Sequence, residues 1–348
     1  MAEVVESRQW VMTAYAEEGL PTPEHVTLIT TKVAVDAASI PEGHAAVQVL
    51  WISIDPYLRS GMLGRMDGLC FPPFPIGKVI TTLGVGRIIR SKDASYCEGD
   101  IVLHTSVPVA DYCIAPATML RKIDMGTRIS PLDYLTAFGL PGFAAWIAIH
   151  LIGNPKPGEN VFISAAAGAV GMLAGQLAKL KGCRVVGSTG TDEKVNLLKE
   201  EFKFDDAFNY KKEADFDAAL SKYLPSGIDI YVDNVGGKML EAVLNHVNKK
   251  ARIPLCGMIS QYNQVWTERD GVRNLLNMIG KEVRMEGFII TSYLQQFQDF
   301  EQEIGEYLNE GKLVSKVKIV EGIEGFLESL LSLFSSSNVG KVILQVNK

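Results

Sequence analysis

The sequence predicts an α/β protein in which a doubly wound parallel sheet is inserted in a mostly-β domain. Three observations predict it. Residues 1 to about 130 read as short apolar runs, such as 47–54, 86–89 and 101–103. Gly61, Gly64, Pro72, Pro73, Gly84, Gly99 and Asp100 punctuate them, which is the spacing of a β-rich domain. From about residue 160, strand-like and helix-like segments alternate, as in βαβ units on a parallel sheet. The chain then ends in a strand-like run, 339–346, so that both termini build one domain around the insert. At 348 residues it is longer than one core usually serves. The expected boundaries are 1–133 with 313–348 for the β domain and 134–312 for the insert.

In chain order, the insert reads as strand 161–164, helix 172–181, strand 184–187 and helix 192–201, with Thr191 as N-cap. Strand 207–209, helix 216–223, strand 228–232 and helix 238–247 follow. Strand 252–256, helix 272–279 and strand 283–290 complete it. A helix at 294–309 stops at Gly311, and the tail holds a helix at 326–332 before the last strand. Residues 134–155 carry no formal charge and are long enough to span a bilayer. Gly139, Pro141 and Gly142 interrupt them, however, and the remaining 143–152 is too short, so a buried core helix is expected.

Composition bounds the function. A 47% hydrophobic and 21% charged chain is globular, and a net charge of −6 without a basic run argues against nucleic acid. The five cysteines, Cys70, Cys97, Cys113, Cys183 and Cys256, form no C-x-x-C pair, and the five histidines no ligand pair at metal spacing, so no metal is expected. Scattered cysteines and a start without an apolar leader run predict a cytoplasmic protein.

The chemistry is carried first by 161–171, V-F-I-S-A-A-A-G-A-V-G. This is the strand–turn–helix that holds a pyrophosphate in a Rossmann domain. Small residues let the backbone approach the phosphates, the helix amino end offers free N–H groups, and Gly171 permits close helix–strand packing. The second strand decides which nucleotide. An NAD site usually carries an acid at its tip, whereas this tip carries Gly187, Ser188 and Thr189, with Lys194 in the first turn of the next helix. Hydroxyls and a lysine suit a 2′-phosphate, favouring NADPH, although Lys194 also reads as an ordinary solvated helix lysine. Asn234, at the end of the fourth strand, is either a cofactor contact or a turn-former before Gly236. The fifth strand places Gly257 and Tyr262 on the same sheet edge.

These residues resemble the medium-chain dehydrogenase/reductase superfamily, and within it the zinc-free NADPH-dependent double-bond reductases: the plant alkenal/enone reductases and the mammalian prostaglandin and leukotriene reductases. The resemblance covers nearly the whole chain. It rests on D-P-Y-L-R at 55–59, L-P-G-F-A-A-W at 140–146, A-A-A-G-A-V-G at 165–171 and V-V-G-S-T-G-T-D-E-K at 185–194. It continues through F-D-D-A-F-N-Y at 204–210, G-I-D-I-Y-V-D-N-V-G-G-K-M-L at 227–240, C-G-M-I-S-Q-Y at 256–262 and N-V-G-K at 338–341. It implies a GroES-like catalytic domain split around the Rossmann domain. It implies NADPH contacts from Ala167, Gly168, Ala169, Val170 and Gly171, from Ser188, Thr189, Lys194 and Tyr210, and from Asn234. Cys256, Gly257, Ser260, Tyr262, Phe288, Ile290 and Asn338 complete that set. Tyr57, Leu83, Trp146 and Tyr293 fall at the substrate pocket. Leu83 and Trp146 stand where relatives carry tyrosine, and 108–112 departs from the relatives' W-E-E-Y.

Without a Lewis acid, reduction of a conjugated C=C is more accessible than that of an isolated carbonyl. Hydride adds to the β-carbon, charge moves to the carbonyl oxygen, and the protein supplies orientation and a hydrogen bond to that oxygen. Tyr262 is the leading candidate for that bond or for the proton, with Tyr57 behind it. Tyr262 alternatively orients a cofactor hydroxyl, or only packs. The expected activity is NADPH-dependent reduction of α,β-unsaturated aldehydes or ketones. A zinc-free quinone reductase and a non-catalytic NADPH-binding protein are the alternatives. Strand 283–290, as a sheet edge, is where a homodimer would pair.

Overall fold

The computed structural model describes residues 3–66, 68 and 71–347. The chain divides into two compact units, one of residues 1–135, 317–337 and 342–348, the other of residues 136–316 and 338–341. In the first unit Val4–Met12 pairs antiparallel with Val26–Ala34. A seven-stranded sheet runs, in spatial order, Val317–Glu321, Lys341–Gln345, His44–Ile54, Thr81–Ser91, Ile101–Pro108 and Leu120–Lys122, with Tyr112–Pro116 also paired to His44–Ile54. The chain's end reaches this sheet by antiparallel pairing, Val342 opposite Ile54 and Leu344 opposite Ile52. Trp10, Met12, Ile52, Leu58, Phe326, Leu330 and Leu344 share one core, and the Trp10 indole N–H donates to the Ile323 carbonyl at 2.8 Å. Distant parts of the sequence are therefore bound into one β unit by both ladder and core. The segment 108–112 is fixed by a fork. Arg8 donates Nε and Nη2 to the two Asp111 carboxylate oxygens at 2.9 and 2.8 Å, the planar geometry that makes arginine–carboxylate pairs specific.

The second unit is a six-stranded parallel sheet in the order Asp206–Asn209, Arg184–Thr189, Asn160–Ile163, Ile228–Val232, Val247–Leu255 and Arg284–Gly287. Asn160–Ile163 is central, and Val161, Phe162 and Ile163 are fully buried, as a strand covered on both faces requires. Phe162 stacks between Phe208 and Tyr231, with ring centroids 5.9 and 5.2 Å away. Helices Ala169–Leu180, Asp192–Glu200, Phe216–Tyr223 and Gly237–His246 alternate with the strands. Thr191 caps the second of these by accepting from the Lys194 N–H. Asp215 caps the third.

Three segments differ from expectation. The helix expected over 272–279 begins only at Leu276 and runs Leu276–Lys281. The Arg273 N–H donates to Glu241 Oε1, and Asn274 Nδ2 to the Glu241 carbonyl, which holds the preceding residues out of the helix. The helix expected over 294–309 is a 3₁₀ stretch, Ile290–Gln296, followed by the α-helix Phe297–Asn309. The strand expected over 283–290 is shorter, Arg284–Gly287. The uncharged run near 140 is the α-helix Leu140–Trp146, continued by a wider π-helical winding, Ile147–Gly153. Among the described residues no helix is long and apolar enough to cross a membrane.

His104 lies within the first unit at 3% exposure. Its Nδ1 accepts from the Ser106 N–H at 3.1 Å, which requires a neutral ring, and burial lowers its pKa from 6.5 to about 4. Between these values the unfolded chain binds a proton that the folded protein refuses, so stability falls as pH drops from 6.5 towards 4 and rises as pH increases. His104→Asn, which keeps an acceptor for Ser106, should flatten this dependence. In urea melts at pH 7 and 4.5 the wild type should lose about 2–3 kcal/mol more than the variant. Equal losses would refute the assignment.

Candidate functional site

The strands of the parallel sheet all end on one edge, and neighbouring strand ends are joined there by hydrogen bonds. The central strand passes through Ser164 into the turn 165–168. Ala165 adopts a left-handed φ of 47° and Gly168 is the N-cap of Ala169–Leu180. That helix has no side-chain cap and no acid in its first turn. Its first N–H groups, which have no intrahelical partners, and its positive dipole end therefore face the sheet edge. The turn is held from three sides. The Ala166 N–H donates to the Ser188 carbonyl, the Gly340 N–H donates to the Ala167 carbonyl, both at 2.9 Å, and Gly168 bridges Gly340. The Gly340 contact brings the segment of Asn338 to the turn; the Asn338 amide donates to the Gly340 carbonyl at 3.3 Å.

Two glycines set how closely these pieces approach. A Cβ on Gly171 would lie 2.5 Å from the Ala165 carbonyl oxygen and 2.7 Å from Ala166 Cα, and one on Gly187 would lie 2.6 Å from Ala166 Cβ. Gly168 is different: its Cβ would meet only the Ala165 oxygen, at 3.1 Å.

At the neighbouring strand end Ser188 and Thr189 are buried, and Lys194 is only 6% exposed in the first turn of Asp192–Glu200. The reading of Lys194 as a solvated surface lysine is thus incorrect. Asp192, beside it, is engaged by Lys212 and by the Asn209 amide. Tyr210 directly follows Asp206–Asn209, in register with Thr189 through Asn209.

Across the centre, a buried polar knot joins the first, fourth and fifth strand ends. Asp233 Oδ1 accepts from the Tyr231 phenol at 2.7 Å and from the Val235 and Gly236 N–H groups at 2.9 and 2.8 Å. Its carbonyl accepts from the Cys256 and Gly257 N–H groups. Burial raises its pKa despite the opposing bonds from Gly236, Tyr231 and Val235. Asn234 donates its N–H to Ser164 Oγ and its amide to the Ser164 carbonyl, at 3.0 and 2.8 Å, so its side chain straps two strand ends together. Burial pushes the Cys256 thiol up to about 12, so it stays protonated and unreactive at neutral pH. Ser260, exposed, donates to the Val235 carbonyl at 2.6 Å. Tyr262 folds back over this loop, its phenol accepting from the Met258 N–H at 3.2 Å. That bond uses a lone pair of the phenol and not its proton. Phe288 follows Arg284–Gly287, its N–H reaching the Leu255 carbonyl at 3.4 Å, and Ile290 opens the next 3₁₀ stretch.

Two residues expected at the substrate pocket have side-chain partners within the second unit. The Trp146 indole donates to Glu303 at 2.7 Å and stacks on His150 at 5.2 Å. His150 and Tyr307 bond the same carboxylate. The Tyr293 phenol donates to Glu286 at 3.3 Å and its ring meets Phe288 edge-on. In the first unit, Tyr57 opens the short helix Tyr57–Gly61 and Leu83 is buried in Thr81–Ser91. Burial and the charge of Asp55 raise the Tyr57 pKa far above the usual phenol value, which keeps it neutral. Among the described residues no group of three or more His, Cys, Asp and Glu could hold a metal ion; Cys70 lies outside them.

Two family models match, an N-terminal domain of oxidoreductase over residues 8–123 and a zinc-binding dehydrogenase over residues 169–308. The chain is 41% identical to a 2-alkenal reductase (NADP(+)-dependent) of Nicotiana tabacum over 100% of both chains. The chain belongs to the medium-chain dehydrogenase/reductase superfamily, in its group of zinc-free NADPH-dependent alkenal/enone reductases. A second member of this group, the (+)-pulegone reductase of Mentha piperita, is 38% identical over 99% of this chain and 100% of the relative. The crystal structure of CurA from Vibrio vulnificus in complex with NADPH superimposes with a TM-score of 0.89 at 33% identity, covering 98% and 99% of the two chains. In this chain the zinc-binding dehydrogenase model begins at Ala169, after the central strand of the parallel sheet.

The glycine contrast is testable. Gly171→Ala should destabilise the protein by about 1–3 kcal/mol in urea melts, because the helix must leave the turn. Gly168→Ala should stay within about 0.5 kcal/mol of wild type. Equal effects would show that the close approach is not at Gly171.

Proposed function

We propose that the chain reduces the C=C bond of α,β-unsaturated aldehydes or ketones with NADPH. One observation carries the reading: an uncapped helix amino end and a hydroxyl-and-lysine strand tip share one sheet edge, in a chain similar along its whole length to a named 2-alkenal reductase. The residues fit the cofactor. Backbone groups of Ala167, Gly168, Ala169, Val170 and Gly171 face a pyrophosphate. Ser188, Thr189, Lys194 and Tyr210 surround a 2′-phosphate. Asn234, the 256–262 loop, Phe288, Ile290 and Asn338 border the rest of the dinucleotide.

When bound, NADPH would supply a hydride for the substrate's β-carbon, and the resulting enolate would take a proton at the α-carbon. The chain contributes orientation and charge stabilisation. The Tyr262 phenol, which closes the 256–262 loop by accepting from the Met258 N–H, would hydrogen-bond to the carbonyl oxygen as charge gathers there.

The partner we favour is a second copy of the chain. Arg284–Gly287 ends the sheet with one side unpaired, and Leu275, Leu276 and Ile279 beside it are 50%, 76% and 76% exposed. A bare strand edge with apolar neighbours is a docking surface. The four described cysteines are unpaired thiols, which suits a reducing compartment, and on that ground we place the protein in the cytoplasm.

Three outcomes are expected. NADPH oxidation should occur with 2-hexenal and not with hexanal; turnover of hexanal but not 2-hexenal would overturn the reading, and much faster turnover of a benzoquinone would favour a quinone reductase. Lys194→Ala should raise KM for NADPH about tenfold or more and leave KM for NADH within about twofold; equal effects would remove Lys194 from the 2′-phosphate. Leu276→Asp should convert a dimer into a monomer in sedimentation velocity, whereas a monomeric wild type would contradict the interface.

A further inference from the structure

The strand tip with Ser188 and Thr189 bears no acid, but the helix that follows begins with one. Asp192 is the first residue of Asp192–Glu200, one place after the Thr191 cap and two before Lys194. A phosphate monoester carries a charge of about −1.5 to −2 at neutral pH, so a carboxylate in this turn opposes it. Both Asp192 oxygens are engaged from the side of the outer strand. Oδ1 accepts from the Asn209 amide at 2.9 Å, and Oδ2 pairs with the Lys212 ammonium. Asn209 stands opposite Thr189 at the end of its strand, and Lys212 ends the 3₁₀ turn Tyr210–Lys212. The two partners of Asp192 thus bracket Tyr210. The Lys212 bond, and after it the Asn209 bond, holds the Asp192 carboxyl below its usual range, so the acid is charged at neutral pH. Glu193, the other acid of the turn, is held locally, accepting from its own N–H and from the Thr191 hydroxyl. The pair is not needed to build the turn, because Asn209 Oδ1 caps it by accepting from the Lys211 N–H at 3.1 Å. The Lys212 and Asp192 side chains are 67% and 56% exposed, and an exposed ion pair adds little to stability. Its effect is on the field at the strand tip.

We propose that Lys212 determines cofactor specificity through charge: paired with Asp192, it cancels a carboxylate that would otherwise repel the 2′-phosphate, and so keeps the strand tip selective for NADPH. The proposal rests on the placement of the 2′-phosphate among Ser188, Thr189, Lys194 and Tyr210 given above. Lys212 acts on the cofactor through Asp192 and does not touch the phosphate.

The test is calorimetric binding of adenosine 2′,5′-bisphosphate, which carries the 2′-phosphate without the nicotinamide. At low salt, Lys212→Met leaves Asp192 uncompensated and should raise Kd about fivefold, the size of a unit charge acting on a dianion across several ångströms of water. Asp192→Asn should lower Kd by a similar factor. The double variant removes one charge of each sign and should return to within about twofold of wild type. Lys212→Arg keeps the charge and should also stay within about twofold. At about 1 M salt, where the screening length is about 3 Å, the differences should nearly vanish. Kd for NADH, which lacks the 2′-phosphate, should move less than about twofold in every variant.

A double variant as weak as Lys212→Met would overturn the proposal, because Lys212 would then bind the phosphate itself. Weakening by both single changes would overturn it too, because the pair would then only brace the turn around Tyr210. No enone enters these measurements, so their outcome is separate from the success or failure of the proposed reduction. Lys194→Ala separates the proposal from its premise. If that variant weakens binding of the bisphosphate and Lys212→Met does not, the 2′-phosphate site stands and the role of Lys212 falls. If neither weakens it, both fall.

Discussion

A helix can offer its amino end to an anion only if the first turn is neither capped nor crowded, and the turn 165–171 meets both conditions through small residues. Gly171 lets the helix pack so closely that a Cβ there would lie 2.5 Å from the Ala165 carbonyl oxygen, and Gly187 lets the second strand pass beside Ala166. Those approaches fix the distance between the helix end and the tips of two strands. The position of Ser188, Thr189 and Lys194 relative to the turn depends on them, and so does the docking of Gly340 on the Ala167 carbonyl. Enlarging either glycine would move the whole phosphate side of the edge.

The other half of the edge is organised by charge and hydrogen bonding. Asp233, buried among Tyr231, Ser164 and the 235–236 amides, converts the end of a strand into a fixed bend. An acceptor with several donors is strongly anchored, and a buried polar group of this kind is costly to disturb. Through its carbonyl, the same residue aligns Cys256 and Gly257. The loop that ends at Tyr262 therefore starts from a rigid point, and the Met258–Tyr262 bond closes it. Small residues hold the phosphate side and a buried carboxyl holds the loop side.

What could be read from the sequence was local. The alternation of strands and helices and the Thr191 cap depend on residues within a few positions of one another. The absence of an acid at the second strand's tip is local too, and these features carried the fold and the cofactor reading. What could not be read depends on distant partners. The bond from the Trp146 indole to Glu303 joins residues 157 positions apart. Lys194 also reads as a surface lysine, whereas it is only 6% exposed. The start of the helix at Leu276 is delayed by Glu241, which captures Arg273 and Asn274.

The central claim is that reduction occurs at the β-carbon of a conjugated carbonyl compound and not at its carbonyl carbon. It is tested most directly by position-resolved isotope transfer: 2-hexenal is turned over with NADPH deuterated at the transferable C4 position, and the product is analysed by NMR. The account predicts hexanal with one deuterium at the β-carbon. Deuterium on the carbonyl carbon, in an unsaturated alcohol, would contradict it.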